Sequence, residues 1–164
     1  MKLDQTDRKI LDILQSEGRI TNAKLAADIG ISPPGMLERV KRLENTGVIQ
    51  RYVALLDREK VGKGIMAIVS VSLTVHQLTS VDGFKEEIDK LDEILECFHI
   101  TGEDDFVLKV AVDNIKEYEN FILHKISQIP GVNKIRTSFV LSTVKYETKV
   151  TINENGGNKN GSNG

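Results

Sequence analysis

The hydrophobic period of this chain changes once, near Val48, and that change limits what the chain can fold into. Before it, apolar residues recur every three or four positions. Beyond a short polar stretch, Met66 to Val75 (Met-Ala-Ile-Val-Ser-Val-Ser-Leu-Thr-Val) alternates large apolar with small polar residues. A period near 3.6 belongs to a helix with one buried stripe, and a period of two to a strand with unlike faces. A helical head followed by a sheet-bearing domain is expected, an α+β chain.

The head is punctuated three times in the same way, by a polar cap, a periodic run and a glycine. Asp4 caps a run with Ile10, Leu11, Ile13 and Leu14 on one stripe, closed by Gly18. Thr21 or Asn22 opens a short helix with Leu25, Ala26 and Ile29 inward, closed by Gly30. Ser32 caps a third helix, Pro33 suits its first position, and Met36, Leu37, Val40 and Leu43 turn inward before Gly47. Val48 to Asp57 is rich in β-formers and is expected to add one or two strands beside these helices.

The second half predicts, in order, a strand over Met66–Val75, a helix with Val81, Phe84, Ile88 and Leu91 inward, a strand over Ile94–Thr101 and one over Phe106–Val112. A helix capped at Asn114 follows, with Tyr118, Phe121, Ile122, Ile126 and Ile129 inward, then a long strand over Val132–Lys145. That β-α-β-β-α-β order is the ferredoxin-like one. The expected division is 1–57 for a winged helix-turn-helix, 58–64 for a linker, 65–150 for the sheet domain and 151–164 for a disordered tail. The tail is expected to be disordered because Asn153 to Gly164 offers no apolar anchor.

Composition excludes several classes. The longest apolar runs fall short of the roughly 18 residues a membrane span needs. The first residues lead into a helix with no signal-type region, so a cytoplasmic, membrane-free protein is expected. Cys97 stands alone in the sequence, which excludes an internal disulfide or a thiolate zinc cluster within one chain, and it is expected to act as a small buried hydrophobe. His76, His99 and His124 fall on three elements without ligand spacing, so no metal site is expected. No phosphate-binding glycine loop occurs, and neither a cofactor nor catalytic residues are expected.

The net charge of −2 hides an asymmetry: residues 1–60 carry +2 and residues 61–164 carry −4. Ala26 four residues before Gly30 supplies the small residue and the turn residue that a helix-turn-helix needs. With Val40 central on the buried face of the third helix, Gly35, Glu38, Arg42 and Asn45 point outward and Arg39 and Lys41 flank. Double-stranded DNA is the expected partner. Ser32, Pro34, Gly35 and Glu38 would approach base edges, while Arg39, Lys41, Arg42 and Arg51 would hold phosphates. A solvated helix with a Glu38–Arg42 pair is the alternative.

Several motifs together resemble the leucine-responsive/AsnC (feast/famine) family of transcription regulators. They are Leu3-Asp4-x-x-Asp7-x-x-Ile10-Leu11, Leu25-Ala26-x-x-Ile29-Gly30-Ile31-Ser32, and Leu37-Glu38-Arg39-Val40-Lys41-Arg42-Leu43-Glu44-x-x-Gly47-Val48-Ile49. In the second half they are Thr101-Gly102-x-x-Asp105-Phe106-x-Leu108-Lys109-Val110, Ile129-Pro130-Gly131-Val132 and Val140-Leu141-Ser142-Thr143-Val144-Lys145. The resemblance covers residues 1–150. It implies homodimers formed through the sheet domain, higher oligomers such as octamers, and an amino-acid effector. It also implies effector contacts at Thr101, Gly102 and Asp105, with Thr137 and Ser138 of the last strand. The chain departs from the pattern at Asp104, where many members carry an aromatic or apolar residue. Physically, Gly102 permits close backbone approach, and Glu103, Asp104 and Asp105 offer acceptors for an ammonium; the same four residues also form an ordinary polar hairpin turn. Two alternatives to an effector-responsive regulator are an enzyme subunit resembling siroheme decarboxylase and a ligand-independent architectural DNA-binding protein.

Overall fold

A computed structural model describes residues 2–74 and 78–153, the side chains of 78–80 excepted. Two compact units result: Met1–Leu55 together with Lys145–Gly164, and Leu56–Val144.

The first unit carries helices α1 (Gln5–Ser16), α2 (Asn22–Ile29) and α3 (Pro33–Asn45). Each begins where a side-chain oxygen can satisfy an otherwise orphan amide. Asp4 accepts from the Asp7 N–H and Asp7 accepts from the Asp4 N–H, a reciprocal box, while Thr21 caps α2 and Ser32 caps α3. Gly30, at φ 81°, closes α2 in the left-handed region and lets the chain turn into α3. The stripes meet in one core of Ile10, Leu11, Leu25, Ala26, Met36, Val40 and Leu43. Leu37, expected inward, is 41% exposed, because it sits on the shoulder of the α3 stripe.

The expected strands between Val48 and Asp57 do not form. Ile49 packs on the helical core, but residues 51–57 form no strand, and Tyr52, Val53, Leu55 and Leu56 are exposed. β-propensity without a neighbouring strand to pair with makes no sheet.

The second unit holds β1 (Ile65–Leu73), α4 (Leu78–Ile88), β2 (Ile94–His99), β3 (Phe106–Val112), α5 (Ile115–His124), a 3-10 turn (Ile126–Gln128) and β4 (Val132–Phe139). The sheet order is β2-β3-β1-β4 with every pair antiparallel. Register places Val69 opposite Leu108 on one side and Thr137 on the other. Ala67, Val69, Val71 and Leu73 join Phe106, Leu108, Val110 and Val112 on one face, under Phe84, Ile88, Tyr118 and Phe121 of the two helices. On the other face Met66, Ile68, Ser70 and Ser72 are only half-buried.

Three strands are shorter than the sequence implies. β4 ends at Phe139 rather than Lys145, since its partner β1 begins at Ile65 and pairing runs out at Ala67↔Phe139. β2 ends at His99 rather than Thr101, and β1 ends at Leu73. Val75 and His76 lie outside the described residues, as do residues 154–164 of the expected tail. Cys97, expected to be buried, is exposed on β2.

Residues 145–153 pack with the helices of the first unit. Gln15 clasps the backbone of Val150, its Oε1 accepting the Val150 N–H at 2.7 Å and its Nε2 donating to the Val150 carbonyl at 3.1 Å. Lys149 pairs with Asp12 at 2.8 Å, and Ile152 packs against the helical core. Ile152 is the apolar anchor that makes Thr151–Asn153 part of a folded unit. Gln15→Ala is expected to cost about 1 kcal/mol by removing both clasping bonds. Amide exchange at Val150 should then accelerate; unchanged exchange would show that the clasp does not hold this segment.

Candidate nucleic-acid interface and effector turn

α3 packs through Met36, Val40 and Leu43 and leaves its opposite face to solvent. Pro34, Glu38, Lys41 and Asn45 are exposed there, and Arg51 is exposed on the segment beyond. Ser32 is occupied as a cap, its Oγ accepting the Gly35 N–H at 3.3 Å. A Cβ on Gly35 would lie 3.1 Å from that Oγ, so glycine keeps the first turn of α3 slim beside its cap.

Two of the cations expected to hold phosphates have partners that the sequence did not reveal. Arg39 Nη1 donates to Asp4 Oδ2 at 2.6 Å and to Asp7 Oδ1 at 2.8 Å, and Arg42 Nη2 donates to the same Asp7 Oδ1 at 2.6 Å. The Asp7 side chain is 1% exposed, while Arg39 and Arg42 keep 31% and 46% of theirs in water. Asp4 is held below the usual carboxylate range, first by the Asp7 N–H and then by Arg39. The spacing Asp4-x-x-Asp7 marked a helix start, but no local pattern announces a partner 32 to 35 positions away. Tyr52 was missed for the same reason. Its hydroxyl donates to Glu44 Oε1 at 3.0 Å, tying the segment after α3 back to that helix, and burial followed by the Glu44 carboxylate pushes its pKa up to about 12.

The β2–β3 turn of the second unit is pinned from inside. Gly102 adopts φ 131°, a region that side chains rarely enter. Asp105 Oδ2 accepts the Leu73 N–H at 2.7 Å, and the Asp105 N–H donates to the Val71 carbonyl at 3.0 Å. Asp104 is buried. It accepts from Ser72 Oγ at 3.0 Å and is ion-paired with Arg136 of β4, which holds its carboxyl below the usual range. Glu103 is exposed and lies 3.8 Å from Arg136. The six candidate effector residues therefore do not share one surface. Asp104 sits with Ser72 and Arg136 on the open side of the sheet. Thr137 faces the helices, where its Oγ1 meets the Tyr118 hydroxyl at 2.5 Å. Thr101 and Ser138 are exposed.

Both units match known families. A winged helix-turn-helix DNA-binding family matches residues 3–50, and the Lrp/AsnC ligand binding domain matches residues 66–150. Over 150 residues, 92% of each chain, the sequence is 37% identical to the leucine-responsive regulatory protein of Escherichia coli (strain K12). This chain belongs to the Lrp/AsnC family of transcription regulators. The transcriptional regulator AzlB of Bacillus subtilis is 34% identical over 93% of this chain and 97% of its own. A Neisseria meningitidis transcriptional regulator in complex with L-methionine superposes with a TM-score of 0.88 at 36% identity, covering 92% of this chain and 97% of that one.

The regulator thus combines a DNA-binding head with a ligand-binding domain, and its relatives are transcription regulators rather than enzymes. No helix among the described residues is long and apolar enough to cross a membrane.

The Asp104–Arg136 pair makes a prediction about acid stability. A carboxylate whose folded pKa is depressed contributes fully above the unfolded value of about 3.9 and loses that contribution as pH falls through the folded value. Arg136→Gln removes the guanidinium that depresses it. The acid limb of thermal stability should move to higher pH relative to wild type, with a lower melting temperature at neutral pH. Coincident acid limbs would show that the pair contributes nothing.

Proposed function

We propose that this Lrp/AsnC regulator is a sequence-specific DNA-binding protein of the cytoplasm whose DNA affinity or assembly responds to a small effector, an amino acid. The observation that carries the DNA half is the solvent face of α3, where Pro34, Glu38, Lys41 and Asn45 stand exposed opposite the buried Met36, Val40 and Leu43. In this reading Ser32, Pro34, Gly35 and Glu38 approach base edges in a major groove, and Lys41 and Arg51 hold the backbone on either side. Arg39 and Arg42 already donate to Asp4 and Asp7 and are considered below.

Support for the effector half comes from the ligand-binding domain family and from the methionine complex of the Neisseria relative. A zwitterion needs donors for its carboxylate and acceptors for its ammonium. Thr101, Gly102 and the acidic residues of the β2–β3 turn offer both kinds, and Ser138 is exposed further along β4, opposite Ile68. Asp104 and Asp105 act chiefly by shaping this turn, since their oxygens are already engaged with Arg136, Ser72 and the Leu73 N–H. Thr137 contributes from the helix side through Tyr118. The half-buried Met66 and Ile68 on the open sheet face suit pairing of two copies into a homodimer, from which higher oligomers are built.

Two measurements test this. A duplex enriched from a random pool by the protein should bind at least ~1,000-fold more tightly than random duplex at ~150 mM salt; equal affinity would end the regulator reading. Thermal shift against the twenty amino acids should single out one class, since saturation ~100-fold above the dissociation constant adds about 2.7 kcal/mol. No shift with any of them would favour a ligand-independent architectural role.

A further inference from the structure

The pairing of Asp7 with Arg39 and Arg42 goes beyond helix packing. Asp7 stands at the third position of α1, and its carboxylate is fixed from behind, because Oδ2 accepts the Asp4 N–H at 3.1 Å as half of the capping box. It cannot swing away without uncapping the helix. Its other oxygen, Oδ1, faces α3 and receives one N–H from each of two guanidiniums three positions apart on that helix. Asp4 adds a second carboxylate to Arg39 from the exposed side.

Between α3 and the start of α1, two cations (Arg39, Arg42) therefore meet two anions (Asp4, Asp7). Both guanidiniums retain substantial exposure, so each would reach a neighbouring phosphate if it were not held back. The affinity of a protein for duplex of any sequence scales with the number of phosphates its cations neutralise, whereas discrimination comes from base edges. Cations withheld from the backbone lower the first without touching the second.

We propose that Asp7, assisted by Asp4, withholds Arg39 and Arg42 from the DNA backbone, and so acts as a specificity-determining residue that keeps sequence-independent binding weak. The proposal rests on the reading of α3 as the DNA-facing helix. Phosphate contact then falls to Lys41 and Arg51, and the two arginines serve to position α3 against α1.

The test uses the full chain and two probes, a random duplex and the duplex enriched by the wild-type protein, across a salt series. Asp7→Asn should bind random duplex more tightly than wild type. Its plot of log affinity against log salt should steepen by about 0.9 for each guanidinium that reaches a phosphate, and preference for the enriched duplex should fall. Adding Arg39→Gln and Arg42→Gln to Asp7→Asn should return the slope to the wild-type value. A purely structural Asp7 would instead lower both affinities and leave the slope unchanged, and that result overturns the proposal. A triple variant that keeps the steeper slope does the same, because the extra contacts would then come from elsewhere. Should Asp7→Asn not fold, Arg42→Gln leaves Asp7 paired with Arg39 and tests the same idea from the other side. A guanidinium already withheld from phosphate can be removed without changing the wild-type salt slope, so a slope shallower by about 0.9 refutes the proposal. Wild-type protein that fails to prefer the enriched duplex is a separate failure, one of the regulator reading itself.

Discussion

Asp7 is a carboxylate almost wholly removed from water, and a charge so placed must be matched or it destabilises whatever surrounds it. Here the match is complete: one backbone N–H on Oδ2 and two guanidiniums on Oδ1. A small apolar core holds the three helices together, and its Met36, Val40 and Leu43 stripe sets which face of α3 turns inward, but apolar contact is tolerant of small slips along the helix axis. The ionic clip is directional. Two donors three positions apart, converging on one oxygen, tie α3 to one position along α1. Buried ion pairs add little net stability compared with a well-packed apolar substitute. A single defined helix position is what this one adds to the head.

The ligand-binding unit solves a related problem by related means. An antiparallel sheet with helices on one face buries Val69, Val71, Leu108 and Val110 and needs no charge to do so. The turn between β2 and β3 has no such core beneath it. It is held by Asp105 on the Leu73 amide and by Asp104 between Ser72 and Arg136. Two strands, β1 and β4, are thereby joined to the turn, and Gly102 takes the positive-φ position within it. The acidic residue at position 104 is tolerated in its buried place because Arg136 supplies its counter-charge.

Most of the fold was legible from periodicity and caps. Ile10, Leu25, Val40, Phe84, Phe106 and Phe121 are where their spacing places them, and Asp4, Ser32 and Asn114 cap the helices they precede. What failed to appear in the sequence was long-range. Tyr52 to Leu56 have the composition of a strand, yet whether they pair depends on a neighbour that no local pattern specifies. Arg39 and Arg42 look like free cations until Asp7 is brought across from α1. Asp104 looks like a turn acceptor until Arg136 arrives from β4. Polar partners of this kind carry no periodic signature, because each is fixed by one contact rather than by a repeated face.

The placement of residues 145–153 follows the same rule. Gln15 and Val150 lie 135 positions apart, and no repeated face announces that they meet. Val150 and Ile152 are built onto α1 and the helical core, so the head takes its packing from two separate stretches of the sequence. Such a unit cannot be read from its three helices alone, because part of what closes it arrives only after the sheet domain has been traversed.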